Sequence, residues 1–342
     1  MAEQQAFIDA SVASGGAGTE VDPYGSASEW ESNEQTNLVI DGDTHKAFAT
    51  GGIDGTAFTI SSWGTDSTHF VELTSKSGDD PSGVFDSSKY FLDGGTGLGA
   101  TLAINDDNTK LTAIQFRRDG PGAVSSQRSC VNIAAQAAGN THDIERCVFL
   151  SIAAAAPAQK VAITTSDSDT VLTIKNNVFY DFDDTGDDAI DIAAQTAGTA
   201  KIINNTMQNC TVGITGLGNT KIVNNVFQNC GTDVSGTVDT GNSGNNLSDA
   251  ASGLPGSNNV HSSTLTFLDA ANDDFHLDSG DSDAIGAGVG PSSDSDVLTT
   301  DVDGDTRTGT TCDIGYDEFV AAGGGPVYQS IKHKYLRTLL TR

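Results

Sequence analysis

Residues 180–192 read YDFDDTGDDAIDI and concentrate six carboxylates, Asp181, Asp183, Asp184, Asp187, Asp188 and Asp191. Glycoside hydrolysis needs one carboxylic acid to protonate the leaving oxygen and a second carboxylate to activate water or attack the sugar. The adjacent Asp187 and Asp188 are the pair in this run that would do that work. The alternative is architectural, because Asp tolerates awkward backbone angles and Asp-rich turns separate strands. A second acidic run, DVDGDTRTG from Asp301, places Asp301, Asp303 and Asp305 at every second position, with Gly304 permitting a sharp turn. Alternate acidic residues around a turn supply oxygen ligands for Ca2+. The twelfth-position Glu of a helix-loop-helix calcium site is missing, and a capping turn that pairs these Asp residues with Arg307 is the other reading. No Ser/His/Asp or Cys/His nucleophile pattern is present. No catalytic residue is therefore assigned, and Asp187 and Asp188 stand as the enzymatic alternative.

The elements that must position these groups are written in a repeating line. KIINNTMQNC begins at Lys201 and returns, nearly unchanged, as KIVNNVFQNC at Lys221. Two longer copies precede them, VNIAAQAAGNTHDIERCVF from Val131 and VAITTSDSDTVLTIKNNVF from Val161. Each copy holds a short apolar-x-Ile strand, a polar turn, then a second strand that begins at Ile144, Ile174, Ile202 or Ile222. Alternation of period two gives each strand an inner and an outer face. Units this short cannot bury their own apolar face, but stacked units can. Spacings of 30, 28 and 20 then mean strands in register with loops of different length. Asn177, Asn205 and Asn225 fall at equivalent positions and predict a ladder of stacked amides, with Cys147 one coil earlier. Cys210 and Cys230 are likewise equivalent and predict stacked core residues.

In these repeats the sequence resembles the right-handed parallel β-helix family, the pectate-lyase-like architecture. LAINDDNTKLTAIQFRRDG from Leu102 and GTAFTISSWGTDSTHFVEL from Gly55 look like further coils. LTFLDAANDDFHLDSGDSDAIGAG and DVDGDTRTGTTCDIGYDEF are similar to closing segments in that family. The resemblance implies an all-β solenoid over residues 35–320, preceded by an N-terminal cap over 1–34 and followed by a Gly-rich joint and tail over 321–342. It implies little about activity, since one scaffold carries unrelated functions. GDDAIDI also looks like the Gly-Asp-Asp motif of polygalacturonases, matching at Asp187 and Asp188. That family's Asn-Thr-Asp, Gly-His-Gly and Arg-Ile-Lys partners are absent: no His lies between His142 and His261, and no Arg between Arg146 and Arg307. A lyase of the family uses Ca2+ and an Arg base; Arg117, Arg118, Arg128 and Arg146 offer the base without a defined acidic partner cluster.

The 342-residue chain carries 46 acidic and 17 basic side chains, a net charge of −29. Such a surface repels phosphate backbones, so nucleic acid is not an expected partner, and it suits strong salt, as in halophilic proteins. MAEQQAFIDASVASGG lacks the basic and apolar regions of a secretory signal. No stretch approaches the ~18 apolar residues of a membrane span. Five Cys without CxxC spacing predict neither a disulfide framework nor a zinc site.

The tail reverses this charge. Residues 323–342 hold Lys332, Lys334, Arg337 and Arg342 and no acid, leaving −33 on the rest. Tyr328, Ile331, Tyr335 and Leu339 recur at helical spacing, widened by Leu336 and Leu340. This is the pattern of a short helix that docks in a groove or self-associates. Covering the open end of its own solenoid is the alternative; a membrane or nucleic acid is disfavoured. GAGTEVDPYGSASEWES and DIGYDEFV are similar to stretches of phage-like virion structural proteins, among which β-helices are common. The resemblance implies a virion surface component, assembled in the host cytoplasm as a homo-oligomer (a trimer by analogy) and touching other virion proteins. Its anchor would be Tyr328, Ile331, Lys332, Lys334, Tyr335, Leu336, Arg337, Leu339 and Leu340. A tailspike-like or secreted polysaccharide hydrolase or lyase, or a non-catalytic binder of host-surface glycan, is the alternative. No cofactor is expected beyond Ca2+ at Asp301, Asp303 and Asp305.

Overall fold

The computed structural model describes residues 2–95, 99–119, 127–134, 139–152, 159–195 and 197–321. All nine tail positions named above therefore lie outside the described residues.

The chain winds as a right-handed parallel β-helix with three long parallel sheets, of eight, eight and seven strands. Each coil visits the sheets in a fixed order. Val171–Lys175 lies in the first sheet, Val178–Tyr180 in the second and Asp188–Asp191 in the third; the next coil repeats this with Thr199–Ile203, Thr206–Gln208 and Val212–Gly216. The register is the one the repeats imply, Ile144 against Ile174, Ile174 against Ile202, and Ile202 against Ile222. All four are fully buried, and burying an Ile side chain is worth about 1.5–3 kcal/mol. Phe116, Phe149 and Phe179 form a second column, with ring centroids 4.9 and 4.8 Å apart and nearly parallel planes. Unequal repeat lengths arise in the connections. The passage from second to third sheet takes residues 181–187 in one coil and only 209–211 in the next.

The near-identical decapeptides explain themselves at the corners. Asn176, Asn204 and Asn224 turn the chain from the first sheet to the second with φ of 53°, 54° and 55°, a left-handed conformation that Asn adopts more readily than most side chains. The following Asn points inward. Asn177 Oδ1 accepts from the backbone N of Cys147 at 2.8 Å, and Asn205 Oδ1 accepts from the N of Asn177 at 3.0 Å. Asn225 Oδ1 takes the N of Asn205 at 3.0 Å, and Asn246 Oδ1 the N of Asn225 at 2.9 Å. Asn259 extends the series, accepting from the N of Asn246 at 2.9 Å. At the next corner Asp181, Asn209 and Asn229 again take positive φ, and Phe182, Cys210 and Cys230 follow them into or against the core. All five cysteines are free thiols.

Both ends of the column are furnished. Glu3–Asp9 pairs in parallel with Thr44–Thr50, so the N-terminal segment supplies the outermost strand of the first sheet. Helix Ala27–Glu34 is N-capped by Ser26, whose side chain accepts from the N of Glu29, and buries Trp30 beside His45 and Trp63. At the other end, the chain after the last rung, Val260 against Leu247, runs back to residue 319 along the outside of the second sheet and over its corner with the first. The outward amides of the left-handed corner hold this wrap: Asn176 Nδ2 donates to Thr300 O at 2.8 Å, Asn204 Nδ2 to Gly315 O at 3.0 Å, and Asn224 Nδ2 to Val289 O at 2.8 Å. Phe275, Val302 and Tyr316 pack on Val148, Val178 and Tyr180, while Leu277, Ala284 and Ile314 pack on Val226 and Leu247. Among the described residues no helix is long and apolar enough to cross a membrane.

Candidate functional site

The acidic run after Tyr180 divides into a buried half and a surface half. Asp187 is fully buried, and its Oδ1 accepts from the backbone N of Lys160 at 2.7 Å. The side chain of Lys160 is itself wholly buried, with Nζ 2.8 Å from Asp184, 3.5 Å from Asp187 and 2.8 Å from the carbonyl of Ile152. This is a pinned corner: a buried cation compensated by two carboxylates and a carbonyl. Burial, opposed by Lys160 and helped by Asp184, pushes the carboxyl of Asp187 up to about 6.

Asp188 begins the third-sheet strand and carries Asp191 three residues on. Burial, then the charges of Asp191 and Asp187, push Asp188 up to about 7. Alongside it the outer face of the third sheet forms a groove of about 420 Å³, lined by Gln127, Ser129, Asn132, Thr164, Ser166 and Asp191 among others. Gln127 Nε2 donates to Asp191 Oδ2 at 3.3 Å across it. Hydroxyls, amides and one carboxylate on a flat parallel face can hydrogen-bond a polyhydroxylated ligand. The Asp187 and Asp188 pair does not present itself as two carboxyls facing this groove, because Asp187 is committed to Lys160.

A raised carboxyl fixes the sign of a pH effect. Asp188 binds its proton more tightly folded than unfolded, so its contribution is fully present below about pH 4 and is lost as pH rises through about 7. Asp188→Asn should remove that loss. In urea unfolding the advantage of the variant over the parent should grow by on the order of 2 kcal/mol between pH 4 and pH 8, about half of what the full displacement would give, because the folded chain relaxes around the charge. An advantage that does not grow would mean that the Asp188 charge is solvated.

The second acidic run folds as a capped turn. Asp301 is fully buried; its Oδ1 accepts from the N of Asp303 at 2.9 Å and of Asp305 at 2.7 Å, and its Oδ2 from the N of Glu318 at 2.9 Å. Those bonds commit both oxygens of Asp301 to backbone, and Asp301, Asp303 and Asp305 do not converge as a set around one point. Asp303 is turned instead toward His276, with Oδ2 3.2 Å from Nε2. Arg307 is fully buried and reaches Glu318 Oε2 at 3.3 Å, Gly315 O at 2.9 Å and Asn176 Oδ1, fastening the turn to the column. Arg117 pairs with Asp93 and Arg146 lies 3.9 Å from Asp80, so both are engaged in ion pairs on the column. Arg118 bonds to Gly94 O, Thr101 Oγ1 and Gly99 O, and Arg128 is buried.

The residues that sequence reasoning passed over are Lys160 and His276. Lys160 gives no local signal, since its carboxylates lie a full coil away. His276 does give one: Asp274-x-His276 in a strand sets both side chains on one side, and Nδ1 of the ring lies 2.6 Å from Asp274 Oδ1. Burial works against the imidazolium there, but Asp317, Asp274 and Asp303 outweigh it and hold His276 well above the ordinary histidine value. No family model matches the chain, and no curated protein matches it.

Proposed function

We propose that this chain is a surface-exposed structural protein of a virus particle, in which the acidic column projects into solvent and the basic tail anchors it. The observation that carries this reading is the fastening of the wrap up to its last described residues. Phe319 N donates to Asp313 Oδ2 at 2.6 Å and Glu318 N to Asp301 Oδ2 at 2.9 Å. The last described residues before the basic segment are thus hydrogen-bonded into the wrap, which is the fixed base an anchor needs. Its apolar and cationic positions, Tyr328 to Leu340, complement a groove on other virion proteins or on a second copy of the chain, and a homotrimer is the arrangement expected.

The test compares the full chain with one ending at Ala322, by light scattering in high salt, with and without purified particles. The full chain should self-associate or bind particles, and the truncated chain should do neither. Identical monomers in both cases would sink the anchoring role. A second reading, recognition of a host-surface glycan, is favoured by the hydroxyl- and amide-lined groove on the third sheet. A binder retains polysaccharide uncut whether or not the tail is present. A hydrolase would release reducing ends and lose that activity in Asp188→Asn.

A further inference from the structure

The wrap brings one histidine and two carboxylates together from three separate stretches. His276 lies on strand Asp274–Leu277, Asp303 on the turn capped by Asp301, and Asp317 just beyond Tyr316. One ligand-type atom from each of the three lies within 4.8 Å of the other two. His276 is 7% exposed, and the ring of Tyr316 covers it at a centroid distance of 5.2 Å. Asp317 is buried too, while the Asp303 side chain keeps 15% exposure and opens the cluster to solvent.

The imidazole is oriented from behind. Asp274 Oδ1 sits 2.6 Å from Nδ1, which keeps a proton on that nitrogen and points Nε2 forward, where a metal ion that displaces its proton finds the lone pair. Nε2 is buried and faces Asp303 Oδ2 at 3.2 Å, an ion-pair distance. Asp317 uses Oδ2 to accept from the N of Leu277 at 2.8 Å, which pins its carboxylate beside the ring. A carboxylate behind a histidine whose other nitrogen faces two further carboxylates is the arrangement that orients and strengthens a metal-ligating imidazole.

We propose that His276 Nε2 and the carboxylates of Asp303 and Asp317 bind one divalent transition-metal ion, of the zinc type. An imidazole donor selects against Ca2+ and Mg2+, which prefer all-oxygen shells. Three protein ligands at an edge open to solvent leave coordination positions for water. The ion offsets the buried negative charge and ties three separate stretches of the wrap together. This inference is independent of the virion reading.

The test uses the full chain, stripped with chelator and titrated with zinc by calorimetry and thermal melting, with Ca2+ and Mg2+ as comparators. One zinc per chain should bind and raise Tm, with Ca2+ and Mg2+ giving no comparable shift. Cobalt in place of zinc should give a visible absorption band. Asp303→Asn, at the exposed edge where folding is least at risk, should weaken zinc binding by about 100-fold or more, and Asp274→Asn by about 10- to 100-fold. Both variants are checked for a parental far-UV spectrum. Absence of stoichiometric zinc binding, a preference for Ca2+, or unchanged affinity in a folded Asp303→Asn chain would each overturn the metal site. The cluster would then be an imidazolium held among carboxylates.

Discussion

Asn205→Leu should lower the stability of the column by about 3–5 kcal/mol, although the two side chains share one branched shape. Asn205 Nδ2 donates to Ile174 O at 2.9 Å, to Ile203 O at 3.2 Å and to Asn225 Oδ1 at 3.0 Å. Its Oδ1 accepts from the N and the Nδ2 of Asn177, at 3.0 and 2.9 Å. Leucine leaves the buried N of Asn177 without its acceptor and takes a bond from Ile174 O, Ile203 O, Asn225 Oδ1 and Asn177 Nδ2, the last three of which keep another; each orphaned buried polar group costs roughly 1–3 kcal/mol. The leucine recovers some apolar burial, so the net is smaller than the sum of the losses. A solenoid adds a second consequence. Stability passes between adjacent coils, so damage in the middle of the series weakens the interfaces on both sides. Asn259 ends the series as described, and Asn259→Leu should cost less than Asn205→Leu. Chemical denaturation of the two variants checks this, and equal midpoints for parent and Asn205→Leu would mean that the amide series adds nothing to packing.

The amide series was legible in sequence because it is a local pattern repeated in phase. Asn177, Asn205 and Asn225, the columns of Ile144 to Ile222, and the equivalence of Cys210 and Cys230 all follow from counting along the repeats. Two further members, Asn246 and Asn259, escaped because the outer coils lose the flanking apolar strands that mark the register. The wrap was legible only as closing segments and a capping turn, not in its contacts. Its contacts join residues more than a hundred positions apart, such as Asn176 with Thr300 and Asn204 with Gly315. No periodicity relates those partners. The same limit governs the acidic runs. Spacing showed carboxylates close together in the chain, but not that Asp187 would be spent on Lys160 or Asp301 on backbone amides. Nor did it show that Asp303 would meet a histidine from another strand. The repeats encode the column; residues 260–319 depend on side chains that only the finished column brings into reach.

Arg307→Met should detach the wrap while leaving the column standing. Arg307 is fully buried and, alongside the Asn176 Nδ2 bond to Thr300 O, ties the capped turn to the left-handed corner at Asn176. Methionine fills similar space without charge, so Glu318 loses its ion pair and both Asn176 Oδ1 and Gly315 O lose a donor. Removing one partner of a buried pair costs about 3–5 kcal/mol. The repeats that build the coils are untouched, so the loss should fall on local rather than global stability. Limited proteolysis should then cut within residues 260–321 at least tenfold faster than in the parent, with the far-UV spectrum nearly unchanged; a tenfold change corresponds to about 1.4 kcal/mol of local opening when cleavage follows the open population. Asn176→Ala should act in the same direction more weakly, and the double variant should add less than the two single effects, because the residues share one bond. Unchanged cleavage would show that the apolar contacts of Phe275, Leu277 and Ile314 suffice to hold the wrap. Loss of the whole spectrum at once would show that column and wrap fold as one unit. In that case the wrap closes the solenoid rather than merely covering one of its faces.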